Sequence, residues 1–217
     1  MPVFRSGPNQ APSWSELTFF EIVRLPAGAS HLFERVAPKE RLVVGAGACR
    51  LELPDQPSLI DAAEKGRGEF KFALDSAAGR FLVRQTFEPT ILIRLCGDWG
   101  DETGGFGVFA PKLSSGEPDR GDPVTYPKTT AFDNHFHDCD EHWILFEGSG
   151  VAYSEGKRYE TRTGDCIATG MGHHHDFSEM SEPVRAVFFE TTLDGARRKG
   201  HLWEHTHGPA KPRRERI

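Results

Sequence analysis

At 217 residues the chain can bury a sizeable core, as one domain or as two closely packed β units. Sixteen Phe, 23 Gly and 15 Pro suit short strands joined by turns rather than a helix bundle, and a formal charge of −6 argues against a nucleic-acid surface, which wants a strongly basic face. The longest apolar runs, such as Ile91-Leu92-Ile93, are too short for a membrane span, and Met1-Pro2-Val3-Phe4-Arg5 lacks the apolar region of a signal peptide.

In chain order, residues up to about Ser15 are rich in Pro, Ser and Asn and read as an arm. From Leu17 to Leu53 the pattern is strand, turn, strand: Phe19 to Leu25, a turn at Pro26-Ala27-Gly28, His31 to Val36, a turn at Pro38-Lys39-Glu40, then Arg41 to Leu53 with glycines at 45 and 47. A short helical turn is predicted around Ile60-Asp61-Ala62-Ala63-Glu64-Lys65, and strands resume at Glu69 to Leu74, Arg80 to Thr86 and Thr90 to Leu95. Gly, Asp, Ser and Pro crowd the next stretch, which reads as a connecting loop or lid. A strong strand is predicted at Ala186 to Leu193, and the basic run Lys211-Pro212-Arg213-Arg214-Glu215-Arg216 reads as a solvated terminus. The expected organisation is an arm (1–15), an amino-terminal β unit (16–96), a loop or lid (97–123), a carboxyl-terminal β unit (124–208) and a basic tail (209–217). Cys49, Cys96, Cys139 and Cys166 form no C-x-x-C pair, which predicts free thiols in a reducing, cytoplasmic setting.

Nine of the ten histidines lie beyond residue 130, so the chemistry is expected in the carboxyl half. In the run His135-Phe136-His137-Asp138-Cys139-Asp140-Glu141 the first two histidines are one residue apart, and strand side chains alternate faces, so both imidazoles point to one side. Glu141 keeps that parity after a turn for which Asp138-Cys139-Asp140 is suitably short and polar. A second cluster follows at Gly172-His173-His174-His175. Imidazole and carboxylate together suit Mn, Fe, Ni, Co or Zn.

These two runs resemble the paired signatures of the cupin superfamily. His135 to Gly148 reads H-x-H, three residues, Glu, six residues, Gly; Gly164 to His175 reads Gly, five residues, a turn residue, one residue, Gly, two residues, His. Gly170 stands where the second signature usually has proline, and Glu179 where it often has asparagine. The resemblance implies an all-β fold, the double-stranded β-helix or jelly-roll barrel, in which His135, His137, Glu141 and His175 hold one divalent transition metal. It also suggests two barrel units: the amino half looks like a degenerate copy, keeping only His31 as a donor where a metal-binding barrel would carry its ligands. His173 and His174 are expected to be exposed or, as the alternative, to orient a ligand or carboxylate from behind.

Strand parity puts Trp143 and Leu145 on the interior face with Glu141, and His142, Ile144 and Phe146 on the other. Outward apolar residues need cover, from the amino half or from a second copy, hence an expected homodimer. Trp143 serves either as a wall of the substrate pocket or as barrel filling, and Cys166, near the second signature, is the other pocket candidate, with a buried core thiol as its alternative. Glu190, His205 and His207 are the candidate catalytic bases; Gly200-His201-Leu202-Trp203-Glu204-His205-Thr206-His207-Gly208 repeats the alternating spacing, and its histidines are either near the site or solvated. Four ligands leave about two positions open on a six-coordinate ion. The functions expected are Lewis-acid isomerisation or epimerisation of a small oxygen-rich molecule (a sugar, sugar acid or related carboxylate), Fe(II) dioxygenation, or ligand binding without turnover.

Overall fold

The alternation of β-branched and aromatic residues with polar ones builds an almost wholly stranded protein. A computed structural model describes residues 1–53, 58–63, 71–74 (backbone), 79–116 and 119–217. Its strands are β1 (Val3–Arg5), β2 (Leu17–Leu25), β3 (His31–Glu34), β4 (Lys39–Ala46), β5 (Ala48–Glu52), β6 (Ile60–Ala63), β7 (Lys71–Leu74), β8 (Arg80–Thr86), β9 (Thr90–Gly97), β10 (Phe106–Phe109), β11 (Glu141–Glu147), β12 (Ser149–Ser154), β13 (Lys157–Arg162), β14 (Asp165–Thr169), β15 (His175–Met180) and β16 (Arg185–Glu190), with one helical turn, α1 (Glu204–His207). They form two units, Leu17–Asp98 and Met1–Glu16 with Trp99–Ile217.

The first of these units has two four-stranded antiparallel sheets, β2-β9-β4-β7 and β3-β8-β5-β6. Their facing side chains, among them Phe33, Leu42, Val44, Leu51, Val83 and Leu92, make its core. The single strand expected from Arg41 to Leu53 is two strands in different sheets. Gly47, at φ +78, turns the chain between them, and a Cβ there would stand 2.3 Å from the Pro89 carbonyl oxygen, so only glycine fits. The helical turn expected at 60–65 is strand where described: Ala62 pairs with Cys49 and Ile60 with Leu51, edge pairing that outweighs the weak helical preference of an Ala pair, while Glu64 and Lys65 lie outside the described residues. Buried Arg94 donates to both oxygens of buried Glu40, at 2.9 and 2.8 Å.

The other unit pairs a five-stranded sheet, β1-β14-β11-β16-β10, with a three-stranded one, β13-β12-β15. Trp143, Leu145, Ala152, Ile167, Phe177 and Ala186 come from both sheets and fill the space between them, on the parity expected for Trp143 and Leu145. Residues read as an arm contribute β1, whose Phe4 opposes Cys166. Within the stretch read as a loop, β10 pairs along β16. The basic tail is no free terminus: Arg213 N–H donates to the Met171 carbonyl at 3.0 Å, and the Arg216 guanidinium reaches fully buried Asp140 at 2.8 Å. No described helix is long and apolar enough to cross a membrane.

Candidate metal centre

The geometry begins with the backbone. His135 and His175 exchange both hydrogen bonds (His135 N–H to His175 O, 3.1 Å; His175 N–H to His135 O, 2.9 Å), which makes them directly opposed residues with side chains on one face. Phe136 makes the same reciprocal pair with Leu202 on the other edge. Asp138 and Asp140 then turn the chain by pointing away from the site. Asp138 accepts from the backbone and guanidinium of Arg198, and Asp140 accepts from Met171 N–H at 2.8 Å as well as from Arg216. Glu141 thus enters β11 facing inward, opposite Thr169 on one side and Glu190 on the other.

Each of the three imidazoles is oriented by a main-chain carbonyl. His135 Nδ1 donates to Asp133 O (2.7 Å), His137 Nδ1 to Gly200 O (2.9 Å) and His175 Nδ1 to His173 O (2.9 Å). A carbonyl only accepts, so Nδ1 carries the proton and Nε2 is left with its lone pair. All three Nε2 atoms converge on Glu141 Oε2, at 4.0, 3.2 and 2.6 Å for His135, His137 and His175, and the four donor atoms lie within 4.8 Å of one another. The four side chains are at most 5 % exposed. His135 Nε2 and His137 Nε2 have no hydrogen-bond partner there. Lone pairs gathered around a carboxylate in a buried space repel one another unless a cation or proton sits among them. Accordingly, although burial opposes its charge, His137 is raised to about 9 by Glu141 and then Glu190, while burial and the neighbouring imidazoles push His135 well down. Glu141 is held well below the usual carboxylate range; burial opposes this, and His137 and His175 overcome it. Three nitrogens and one oxygen with free lone pairs fit a divalent transition metal.

The remaining candidates divide. Glu190 is buried on the same face as Glu141; its Oε2 accepts from Gly105 N–H at 2.6 Å and its Oε1 lies 3.8 Å from His137 Nδ1. Gly104 packs so tightly beneath it that a Cβ would be 2.5 Å from the Glu190 Cβ. His205 and His207 are not at the cluster. The chain after Trp203 coils into α1 instead of continuing extended, and both histidines are exposed, His205 bonded to Asp122 at 3.0 Å and His207 to Trp203 N–H at 2.9 Å.

Trp143 is 1 % exposed, its ring 5.1 Å from that of His175, so it fills the barrel beneath the donors. Cys166 opposes Ile144, one parity step from the Trp143–Ile167 pair, and therefore faces away from the donors as a buried thiol. Cys139, also buried and free, is outside the donor cluster. His173, expected to be exposed, is buried, Nε2 donating to Arg213 O at 3.0 Å because the tail covers it; His174 is partly buried and bonds Asp122 at 2.8 Å. Gly170, in the usual proline position, lies under that tail: a Cβ there would be 2.2 Å from the Arg216 carbonyl oxygen.

Of the histidines read as either near the site or solvated, His201 is the one near it. Its ring stacks on His135 at 4.1 Å and 7°, half exposed at the edge of the donor set. The signal was present in the alternation His201-Trp203-His205, but its first member, not its last, reaches the site.

The solved structures that resemble this chain share its architecture. A conserved protein of unknown function, PA5104, from Pseudomonas aeruginosa PAO1 matches with TM-score 0.55 at 12% identity, over 89% of this chain and 99% of that one. An IolB-like protein from Salmonella typhimurium LT2 matches with TM-score 0.52 at 14% identity, over 87% and 88%. Oxalate decarboxylase from Bacillus subtilis, whose centres hold Mn(II), matches with TM-score 0.51 at 11% identity, over 81% and 69%. Uncharacterized protein y4oW of Sinorhizobium fredii (strain NBRC 101917 / NGR234) is 44% identical over 217 residues, all of this chain and 97% of the relative. The chain belongs to one family with y4oW, and its fold is of the jelly-roll type that the cupin resemblance implies. No protein-family model matches it. The set His135, His137, Glu141 and His175 is formed wholly by the carboxyl-terminal unit.

Proposed function

We propose that this chain is a cupin and a divalent-metal-dependent enzyme acting on a small oxygen-bearing molecule. The observation that carries the reading is the convergence of three imidazole lone pairs on the Glu141 carboxylate, two of them without any hydrogen-bond partner in a buried space. His135, His137, Glu141 and His175 would hold one ion, Mn, Fe, Co, Ni or Zn by donor type, and the set contains no thiolate to favour Zn. Bound there, the ion would supply Lewis-acid polarisation of an adjacent carbonyl or hydroxyl oxygen.

The protein's own groups account for the rest. The three backbone carbonyls fix the ring orientations, so the donors need no rearrangement when a ligand arrives. Glu190, pinned by Gly105 N–H through one oxygen, keeps the other beside His137 and is the candidate to accept and return a substrate proton, as isomerisation or epimerisation of a hydroxy-carbonyl compound requires. A second reading, Fe(II) dioxygenation, is favoured by the aromatic rings close to the donors, Phe132 5.8 Å from His135 and Trp143 5.1 Å from His175.

Elemental analysis of protein purified without chelator or affinity histidines should find about one transition-metal ion per chain, and His137→Ala should lose it. Full metal content in that variant would refute the ligand set. With Fe(II) loaded anaerobically, substrate-dependent oxygen uptake selects the dioxygenase, and turnover without uptake selects the isomerase. Saturable ligand binding with neither would make this a binding protein.

A further inference from the structure

The interior wall beside the donors is made of rings. Along β11 and β16 the pair Trp143–Phe188 shares its face with the pair Glu141–Glu190, two residues away. Across the next ladder Phe188 opposes Gly107 and Ala186 opposes Phe109, so β10 offers that face a bare backbone position followed by a ring. Phe109 lies 5.4 Å from Phe132, 5.5 Å from Trp143 and 6.4 Å from Phe188, and Phe132 continues the path to His135. Phe109, Phe132 and Phe188 pack on the barrel core yet stay partly exposed, unlike Trp143 below them. Side chains that face inward and are still reached by solvent mark an opening of the interior, and here the opening is edged by aromatic surface next to the donor set.

Apart from Glu190 Oε1, polar groups on the same wall are already engaged. Glu190 Oε2 accepts from Gly105, and the Thr169 hydroxyl is 3.0 Å from the Met1 sulfur. A polyhydroxy ligand needs a fixed partner for each buried hydroxyl, whereas a flat ring needs only contact area and ring edges.

We propose that the ligand of this centre is a planar aromatic compound with two adjacent oxygen donors, its ring against Phe109, Phe132 and Phe188 and its oxygens on the ion. The inference rests on the metal-dependent reading and narrows it from oxygen-rich molecules in general to oxygenated aromatics.

The test uses the full chain loaded with Co(II), with 4-nitrocatechol as probe, followed by its change in absorbance on chelation, and glycolate as an aliphatic chelator of similar bite. Metal content and the Co(II) spectrum are recorded before any ligand is added. Phe109→Leu and Phe132→Leu keep apolar volume and remove the ring; each should weaken nitrocatechol binding by ~3–10-fold and leave metal content and glycolate affinity unchanged. A double leucine variant that binds nitrocatechol within about twofold of wild type overturns the aromatic assignment while the metal centre stands. Failure of the wild-type chain to take up Co(II) overturns both, and it is seen before the probe is added.

Discussion

Replacing Arg216 by alanine tests whether the tail belongs to the carboxyl-terminal unit. Asp140 is fully buried and accepts two hydrogen bonds, from Met171 N–H and from Arg216, each at 2.8 Å. The Arg216 side chain is 28 % exposed, so its ion pair is only partly screened. A charge-assisted hydrogen bond of this kind contributes about 1.5–3 kcal/mol, and the exposure argues for about 2. Unfolding entropy of roughly 2.1 cal/mol/K per residue gives ~0.28 kcal/mol/K for the ~135 residues of the unit, hence a Tm loss of ~7 °C if it melts alone and ~4 °C if the whole chain melts together. Calorimetry in the presence of chelator keeps metal content from contributing. In an Asp140→Asn background the same replacement should cost less than ~0.5 kcal/mol, because the charge it compensates is gone. A melting point within 1 °C of wild type, or an equal cost in both backgrounds, would refute the reasoning and return the tail to solvent.

Three further outcomes are expected. Gly172→Ala should destabilise more than Gly156→Ala and expose the tail to limited proteolysis: both glycines have left-handed φ (+76 and +78), worth about 1 kcal/mol each, but only at Gly172 would a Cβ meet backbone, 2.6 Å from Lys211. Arg94→Met should cost about 3 kcal/mol in chemical denaturation by leaving the buried Glu40 charge to the Val36 and Ala37 N–H groups, and Arg94→Met with Glu40→Gln, which removes the charge and keeps an acceptor for them, should recover part of it. Ellman's reagent at pH 8 should find no fast thiol in the native protein and four after unfolding: all four cysteines are buried, and burial, helped by Asp61, raises Cys49 to about 11, leaving ~0.1 % thiolate. A native thiol that reacts as fast as free cysteine would contradict that burial.

The donor set was legible because strand parity and signature spacing are local properties, and His135, His137, Glu141 and His175 follow from both. Parity also fixed the faces of Trp143 and Leu145. What stayed hidden depends on chain segments far apart in sequence. The break at Gly47 is set by the Pro89 backbone, and Gly170 is explained only by the return of Arg216. Strand 60–63 depends on β5, since its own residues favour neither state strongly. His205 and His207 follow the solvated alternative that the sequence left open, because alternation is evidence for a strand only while the chain remains extended, and it ceases to be so after Trp203. Which histidine of the run 200–208 reaches the site was not legible, because His201 gets there by stacking on His135, 66 positions earlier by numbering.

The carbonyl that steers His137 belongs to Gly200, and the one that steers His175 belongs to His173. Ring aim is thus set locally for His175, whose carbonyl lies two residues before it, but for His137 it is delegated to main chain 63 positions further on. Displacing the segment that carries Gly200 would leave the His137 imidazole free to turn while His135 and His175 stay aimed, so one donor of the four depends on chain that follows the last strand.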